Sequence, residues 1–110
     1  DPQVVGKQWA RKCARGMSHT MALREQMGDD RFLDLWFKDT VSQPLAEIQK
    51  IYDFLGMELT GEARAEMEQW QDFNRRELRP SHDYTLGQFG LTEEGLKAQF
   101  REYREKYIVE

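Results

Sequence analysis

The stretch RFLDLWFKDTVSQPLAEIQKIYDFLG, residues 31–56, joins an apolar run to the start of an amphipathic helix. If residues 32–37 form a strand, successive side chains point to opposite faces, and both faces are apolar. The side chains concerned are Phe32, Leu33, Leu35, Trp36 and Phe37. A strand covered on both faces is typical of a sheet interior. No other segment has comparable β-branched or aromatic density, so either the strand pairs with something outside these 110 residues or residues 32–37 are not a strand.

Apolar periodicity predicts four helices around this strand, at residues 2–27, 44–55, 61–73 and 92–106. Asp1 before Pro2 is a typical helix start, and Thr60 and Thr92 are suited to cap the third and fourth helices. Gly28 ends the first pattern, in which Gly16 is a weak point. The chain is therefore predicted to be mainly α, with four helices and one short strand.

The apolar faces of these elements predict a core. Its members are Trp9, Leu33, Leu35, Ile48, Ile51, Leu55, Met67, Trp70, Leu96, Phe100 and Tyr103. The one cysteine, Cys13, lies on the same helical stripe as Trp9, which favours a buried, inert thiol over a reactive one. Because a single cysteine cannot form an internal disulfide, we expect a reducing, cytoplasmic location.

Composition limits the class of protein. A length of 110 residues, with 39% hydrophobic and 33% charged residues, fits one domain or a fragment of one. The net charge of -4 argues against a nucleic-acid binder. No membrane span and no secretory leader are predicted, since the sequence has neither a run of about twenty apolar residues nor a basic, apolar start. A start at Asp1 instead of Met hints at an excised segment.

The search for catalytic chemistry identifies no catalytic residue. His19 and His82 are the only histidines, and neither has a cysteine or carboxylate at metal-ligand spacing, so no metal site is predicted. The sequence has no glycine-rich phosphate loop and no nucleophile elbow.

Residues 74–90, NRRELRPSHDYTLGQFG, lose helical periodicity and are predicted to be a long loop, of a length that is usually functional or mobile. Within a span of eight residues, five side chains form a donor set suited to a phosphate or sulfate monoester: Arg75, Arg76, Arg79, Ser81 and His82. The simpler alternative is a solvated loop whose arginines complement the dipole of the preceding helix. Glu77 and Asp83, which lie among the arginines, weaken the case for an anion site.

The order of segments resembles the C-terminal portion of the bacterial sulfotransferase family. The resemblance rests on the apolar run, on PLAEIQKIYDFLGMELT at 44–60, on a His-x-Tyr sequence and on FGLTEEGLKAQFREY at 89–103. It implies an α/β, P-loop-like fold whose other strands lie upstream of Asp1. It also implies that the sulfuryl donor is 3′-phosphoadenosine 5′-phosphosulfate and that the acceptor is a hydroxyl of a small molecule or glycan.

The resemblance implies a nucleotide-binding role for four residues. Phe37 stands where the family places an aromatic residue near the adenine, although Lys38 replaces an acid. His82 matches the His-x-Tyr loop that relatives use for the 3′-phosphate, although Asp83 stands where a cation is usual. Arg79 and Ser81 are then the nearest further ligands for that phosphate.

The family's phosphosulfate loop and general base lie upstream, outside these residues. The resemblance therefore implies a segment that supplies part of the nucleotide wall, is inactive alone and has the upstream half of the same polypeptide as its partner. An isolated chain with its apolar run uncovered has reason to self-associate. The alternative is a non-catalytic helical interaction module that has kept the family's helices without its chemistry.

Overall fold

A computed structural model describes residues 1–108, which are mainly helical. Six α-helices follow one another: α1 at Pro2–Met27, α2 at Phe37–Ser42, α3 at Pro44–Leu55, α4 at Gly61–Phe73, α5 at Glu93–Gln99 and α6 at Arg101–Tyr107. Short 3₁₀ turns lie at Asp29–Arg31, Arg76–Leu78 and Leu86–Phe89. The chain forms two compact units. The terminal unit comprises residues 1–31 with those from 82 onward, and the central unit comprises residues 32–81.

The predicted first, second and third helices are confirmed, with the predicted ends. The three caps bond as expected: the side-chain oxygen of Asp1 accepts the Gln3 N–H at 2.9 Å, that of Thr60 the Ala63 N–H at 3.1 Å and that of Thr92 the Gly95 N–H at 3.1 Å. Gly28 closes α1, which runs unbroken through Gly16. Gly56 closes α3 in the left-handed conformation, with φ at 68°.

The predicted strand at 32–37 is wrong. Residues 32–36 are irregular, and Phe37 is the first residue of α2, where the Thr40 N–H donates to the Trp36 carbonyl at 2.9 Å. A strand satisfies its backbone groups only through a neighbouring strand, and residues 1–108 contain none. Helix α2 supplies such a bond locally at the end of the segment, where the Trp36 carbonyl accepts from Thr40.

The single helix predicted at 92–106 is also wrong, because α5 and α6 are separated at Phe100. Its backbone angles, φ -104° and ψ 17°, leave the helical region. The half-buried Phe100 lines the same apolar groove as Phe89 and Leu96, so tertiary packing overrides the continuous periodicity of the sequence.

The 3₁₀ turn at Leu86–Phe89 lies directly on α1 at Gly6. A Cβ at the buried Gly6 would overlap the Phe89 carbonyl oxygen and lie 2.6 Å from the Phe89 Cβ. Gly90, the residue after Phe89, adopts a φ of 66°, and a Cβ there would lie 3.1 Å from the Gln3 Cβ. The turn approaches the helix this closely because neither glycine carries a side chain.

The C-terminal helix α6 is tied to the other end of α1 by polar contacts. The Lys106 Nζ donates to the Glu25 Oε1 at 2.8 Å, and the Arg24 guanidinium lies 4.7 Å from the centre of the Tyr107 ring. Arg24 also pairs with Asp29 at 2.7 Å, just beyond the end of α1.

The predicted core is largely uncovered. In the described chain, Met21 is the only buried large apolar side chain. Of the predicted members, Leu35, Ile48, Ile51, Met67, Leu96, Phe100 and Tyr103 are half-buried. Trp9, Leu33, Leu55 and Trp70 are exposed, and so is Cys13, whose predicted burial is wrong. Periodicity identifies apolar faces, but within the described residues these faces are only partly covered.

We expect Gly6→Ala to destabilise the protein by about 1 to 3 kcal/mol, because the added methyl group must displace the turn at Phe89. Gly16→Ala is the matched control, since a Cβ there meets nothing within 4 Å. We expect it to stabilise α1 by roughly 0.5 to 1 kcal/mol. Urea unfolding followed by circular dichroism measures both, and equal effects of the two substitutions would contradict the packing described for Gly6.

The ion pair between α1 and α6 makes stability depend on pH. The hydrogen bond from Lys106 lowers the pKa of Glu25 below its ordinary 4.5, and the same bond raises the pKa of Lys106 above 10.5. The Glu25 contribution is present above pH 4.5 and is lost as pH falls through the folded pKa. The Lys106 contribution is present below pH 10.5 and is lost as pH rises through the folded pKa.

We expect an NMR titration of the Glu25 carboxyl carbon to give a midpoint below 4.5, and Lys106→Met to return it towards 4.5. Lys97→Met, which removes the partner of Glu93 instead, is the control and should leave the Glu25 midpoint unchanged. A Glu25 midpoint that is insensitive to Lys106→Met would show that the pair does not form in solution.

Candidate functional site

The first part of the candidate site is an arginine-rich turn at the end of α4, in the central unit. The Asn74 Nδ2 donates to the Trp70 carbonyl at 2.9 Å and closes the helix. The following 3₁₀ turn at Arg76–Leu78 is held by the Arg79 N–H, which donates to the Arg76 carbonyl at 3.0 Å. This local bonding gathers three exposed arginines on one short turn: Arg75, Arg76 and Arg79.

The acidic residue in this turn does not neutralise the positive charge of the three arginines. Within the described central unit, no ion pair joins Glu77 to Arg75, Arg76 or Arg79, so their guanidinium groups are free to bind an anion. Arg79 has an extended backbone, and Ser81 follows it by two residues. Chain geometry therefore keeps the Cα atoms of Arg79 and Ser81 within about 7 Å of each other, a separation that one phosphate group can bridge with these side chains.

Phe37 begins α2, and its side chain is 80% exposed. The ring is thus accessible for stacking and contributes little to the packing of the central unit. No hydrogen bond, ion pair or ring contact joins Phe37 to Arg79 or Ser81 within residues 32–81. The three predicted contacts of this unit are therefore not joined to one another by direct interactions.

The second part of the candidate site is the His-x-Tyr sequence of the terminal unit. Tyr84 packs edge-on against Phe89, with ring centres 6.3 Å apart. The Thr85 N–H donates to the Gln88 Oε1 at 2.8 Å, and the Leu91 N–H donates to the Leu86 carbonyl at 3.0 Å. These bonds fix the turn that follows Tyr84, whereas His82 is exposed and has no hydrogen-bond partner among the described residues.

The predicted loop at 74–90 is therefore only partly irregular. It contains two 3₁₀ turns, and the second of these is anchored on Gly6. Its polar donors lie outside both turns or on their exposed side, and residues 75–83 are exposed. Donors that make no internal bonds are the ones that a ligand can use without first breaking a contact.

The sequence reading missed a buried acid, Glu47 on α3, which is 4% exposed. Its Oε1 accepts from the Lys50 Nζ at 2.6 Å, and this hydrogen bond is the main cause of a raised pKa of Lys50, to which Asp39 also contributes. The apolar periodicity of the sequence does not predict the burial of Glu47, because an acidic side chain in the first turn of a helix normally lies in solvent and complements the helix dipole.

Residues 1–108 lack two further features. The described residues contain no group of three or more metal-ligating side chains suited to hold a metal ion. In the same part of the chain, no helix combines the length and apolarity needed to cross a membrane.

Comparison with known proteins gives two matches. The sequence model of the sulfotransferase family matches residues 2–61. The fold is similar to part of a crystal structure of a sulfotransferase from Mycobacterium avium, with a TM-score of 0.83 and 25% sequence identity. That similarity covers 100% of this chain and 28% of the mycobacterial chain, so the chain spans little more than a quarter of the length of its structural relative. No curated protein matches the sequence.

We expect Arg79→Ala and His82→Ala each to change the free energy of unfolding by less than about 0.5 kcal/mol, because both side chains are exposed. Phe89→Ala is the positive control and should cost more than about 1 kcal/mol, since its half-buried ring packs against Tyr84. Urea unfolding measures all three. A large loss for Arg79→Ala would show that the guanidinium has a structural partner and is not free for a ligand.

Proposed function

The chain belongs to the sulfotransferase family, and on that premise we propose that it is a segment of an enzyme that transfers a sulfuryl group from 3′-phosphoadenosine 5′-phosphosulfate to a hydroxyl acceptor. In that enzyme it supplies part of the nucleotide-binding wall. The observation that carries the proposal is that the whole chain shares its fold with one part of a longer sulfotransferase.

The proposed donor contacts use the exposed groups of the two units. Phe37 presents an open ring for stacking on the purine. Arg79, Ser81 and His82 provide a guanidinium fork, a hydroxyl and an imidazole for the 3′-phosphate. This assignment explains why these polar side chains are free of internal bonds in the described chain.

In this proposal, other parts of the enzyme carry out the bond-making and proton-transfer steps of the reaction. Sulfuryl transfer breaks the bond between sulfur and the bridging oxygen of the donor, forms a bond between sulfur and the acceptor oxygen, and passes the acceptor proton to a base. The products are the sulfate ester and adenosine 3′,5′-bisphosphate. This segment can position the nucleotide in line for the reaction, but we assign none of its residues to the base or to the leaving oxygen.

The exposed apolar surface of this chain supports the proposal that it packs against another part of the same enzyme. Among the described residues, Trp9, Trp36, Leu55 and Trp70 are each at least 47% exposed. We propose that the upstream half of the same polypeptide covers these side chains, as the other layers of a sulfotransferase fold.

The alternative is a non-catalytic helical interaction module derived from the same family. Asp83 favours it, because a carboxylate beside His82 opposes phosphate binding. The exposed apolar side chains suit a protein partner equally well. The two functions differ in whether adenosine 3′,5′-bisphosphate binds the assembled protein. For either one we propose the cytoplasm as location, where the exposed thiol of Cys13 stays reduced.

Calorimetry with adenosine 3′,5′-bisphosphate tests the proposal. We expect weak or undetectable binding to the 110-residue chain and tight binding once the rest of the enzyme is joined to it. In the joined protein, Arg79→Ala and His82→Ala should each weaken binding roughly 10- to 150-fold, because each removes a charge-assisted hydrogen bond worth about 1.5 to 3 kcal/mol.

Arg64→Ala is the matched control, since Arg64 is an exposed arginine of the same unit that pairs with Glu68 at 3.5 Å. It should leave nucleotide affinity unchanged. Unchanged affinity in Arg79→Ala and His82→Ala would favour the interaction module. Transfer of labelled sulfate by the 110-residue chain alone would place the catalytic groups within it and contradict the proposed division of labour.

A further inference from the structure

Helix α1 has the opposite charge to the rest of the chain. It carries five basic side chains, Lys7, Arg11, Lys12, Arg15 and Arg24, and one acidic side chain, Glu25, hence a net charge of +4 with its histidine neutral. The whole chain has a net charge of -4, so the residues outside α1 together carry -8. Between Pro2 and Leu23 the helix contains no carboxylate. Positive potential is therefore concentrated along its first five turns.

Part of this basic surface is concave. An open groove of about 720 Å³ runs beside α1 in the terminal unit. Arg11 and Arg15 line it one helical turn apart, with Ser18 and His19 following on the same side and Gln99 contributed from the end of α5. Two small residues, Ala14 and Gly16, also line it, and a Cβ at Gly16 would still meet nothing within 4 Å.

The arginines of the groove lack the carboxylate partners that two lysines of this unit have. Lys97 and Lys106 bind carboxylates at 2.6 and 2.8 Å. Within residues 1–108, the side chains of Arg11 and Arg15 make no hydrogen bond and no ion pair. Two like charges at this spacing repel each other, and an anion bound between them would remove that cost.

We propose that this groove binds an oxyanion ester, a phosphate or sulfate monoester carried by a small molecule. The guanidinium forks of Arg11 and Arg15 bind the oxyanion, and the Ser18 hydroxyl and the Gln99 amide donate further hydrogen bonds. Phosphate and sulfate esters share this chemistry, and the experiment below distinguishes the two sources. A long polyanion is disfavoured, because the net charge of -8 outside α1 repels it.

This inference goes beyond the proposed function, since none of the groove residues belongs to the predicted nucleotide contacts. An oxyanion bound at Arg11 and Arg15 would be detected even in a protein with no part in sulfuryl transfer. Conversely, Arg79→Ala and His82→Ala should leave ester binding in the groove unchanged, so the failure of one proposal is distinguishable from the failure of the other.

The test is an NMR titration of the full 110-residue chain with phenyl phosphate and, separately, phenyl sulfate, at constant ionic strength. We expect saturable shifts of the Nε–Hε signals of Arg11 and Arg15 in at least one of the two titrations. The ester that binds more tightly shows whether the groove prefers a phosphate or a sulfate monoester. Added salt should weaken the binding, because the contact is an exposed ion pair.

Arg11→Gln combined with Arg15→Gln should lower the affinity at least tenfold. The matched control is Arg31→Gln combined with Arg101→Gln, which makes the same change of charge at exposed arginines outside the groove and should stay within twofold of the unmodified chain. Ser18→Glu keeps both arginines but places a carboxylate beside them, and it should abolish binding. Circular dichroism checks that each variant keeps its helices.

Three results would overturn the inference: no saturable shift with either ester, equal losses in the groove and control double variants, or unchanged binding in Ser18→Glu. The first would leave Arg11 and Arg15 as a solvated helix face. The second would show that net charge, and not the groove, attracts the anion. The third would place the bound ester away from Ser18.

Discussion

The close contact between Gly6 and the Phe89 backbone is the constraint on which the terminal unit depends. It brings the segment before α5 onto the first turns of α1, although more than eighty residues separate the two along the chain. Phe89 then supports Tyr84, and Phe100 lines the neighbouring groove at the break between α5 and α6. A contact this close leaves no room for a side chain at Gly6 or at Gly90, so its geometry depends on these two glycines.

Apolar burial is instead what the described chain lacks. Its helices present correct apolar faces, yet only Met21 among the large apolar side chains is buried. Membership of the sulfotransferase family offers a physical explanation for this exposure. The structurally similar sulfotransferase is several times longer, and this fold forms only one part of it. In the enzyme proposed above, Trp9 and Trp70 would be stabilised by packing against its other parts, at about 25 cal/mol per Å² of apolar surface covered.

Charged groups divide into two sets with different consequences. Lys106 with Glu25, Lys97 with Glu93 and Lys50 with Glu47 are paired within the fold and hold helices or helix turns in place. The arginines at 75, 76 and 79, and those at 11 and 15, have no such partners in the described residues. Cations without internal partners keep their full capacity to bind an anion, so the second set is where ligand binding is proposed.

The amino-acid sequence is sufficient to predict most of the local structure: the helices at 2–27, 44–55 and 61–73, with their caps at Asp1 and Thr60, depend on residues within a few positions of one another. It also determined the composition of the arginine-rich loop, and its segment order indicated the family. Tertiary structure alone decided that residues 32–36 are irregular, that α5 and α6 part at Phe100, that Glu47 is buried and that Trp9 and Cys13 are exposed. The physical reason is that strand pairing and burial depend on neighbours distant in sequence, and periodicity reports which face of a helix is apolar but not whether anything covers it.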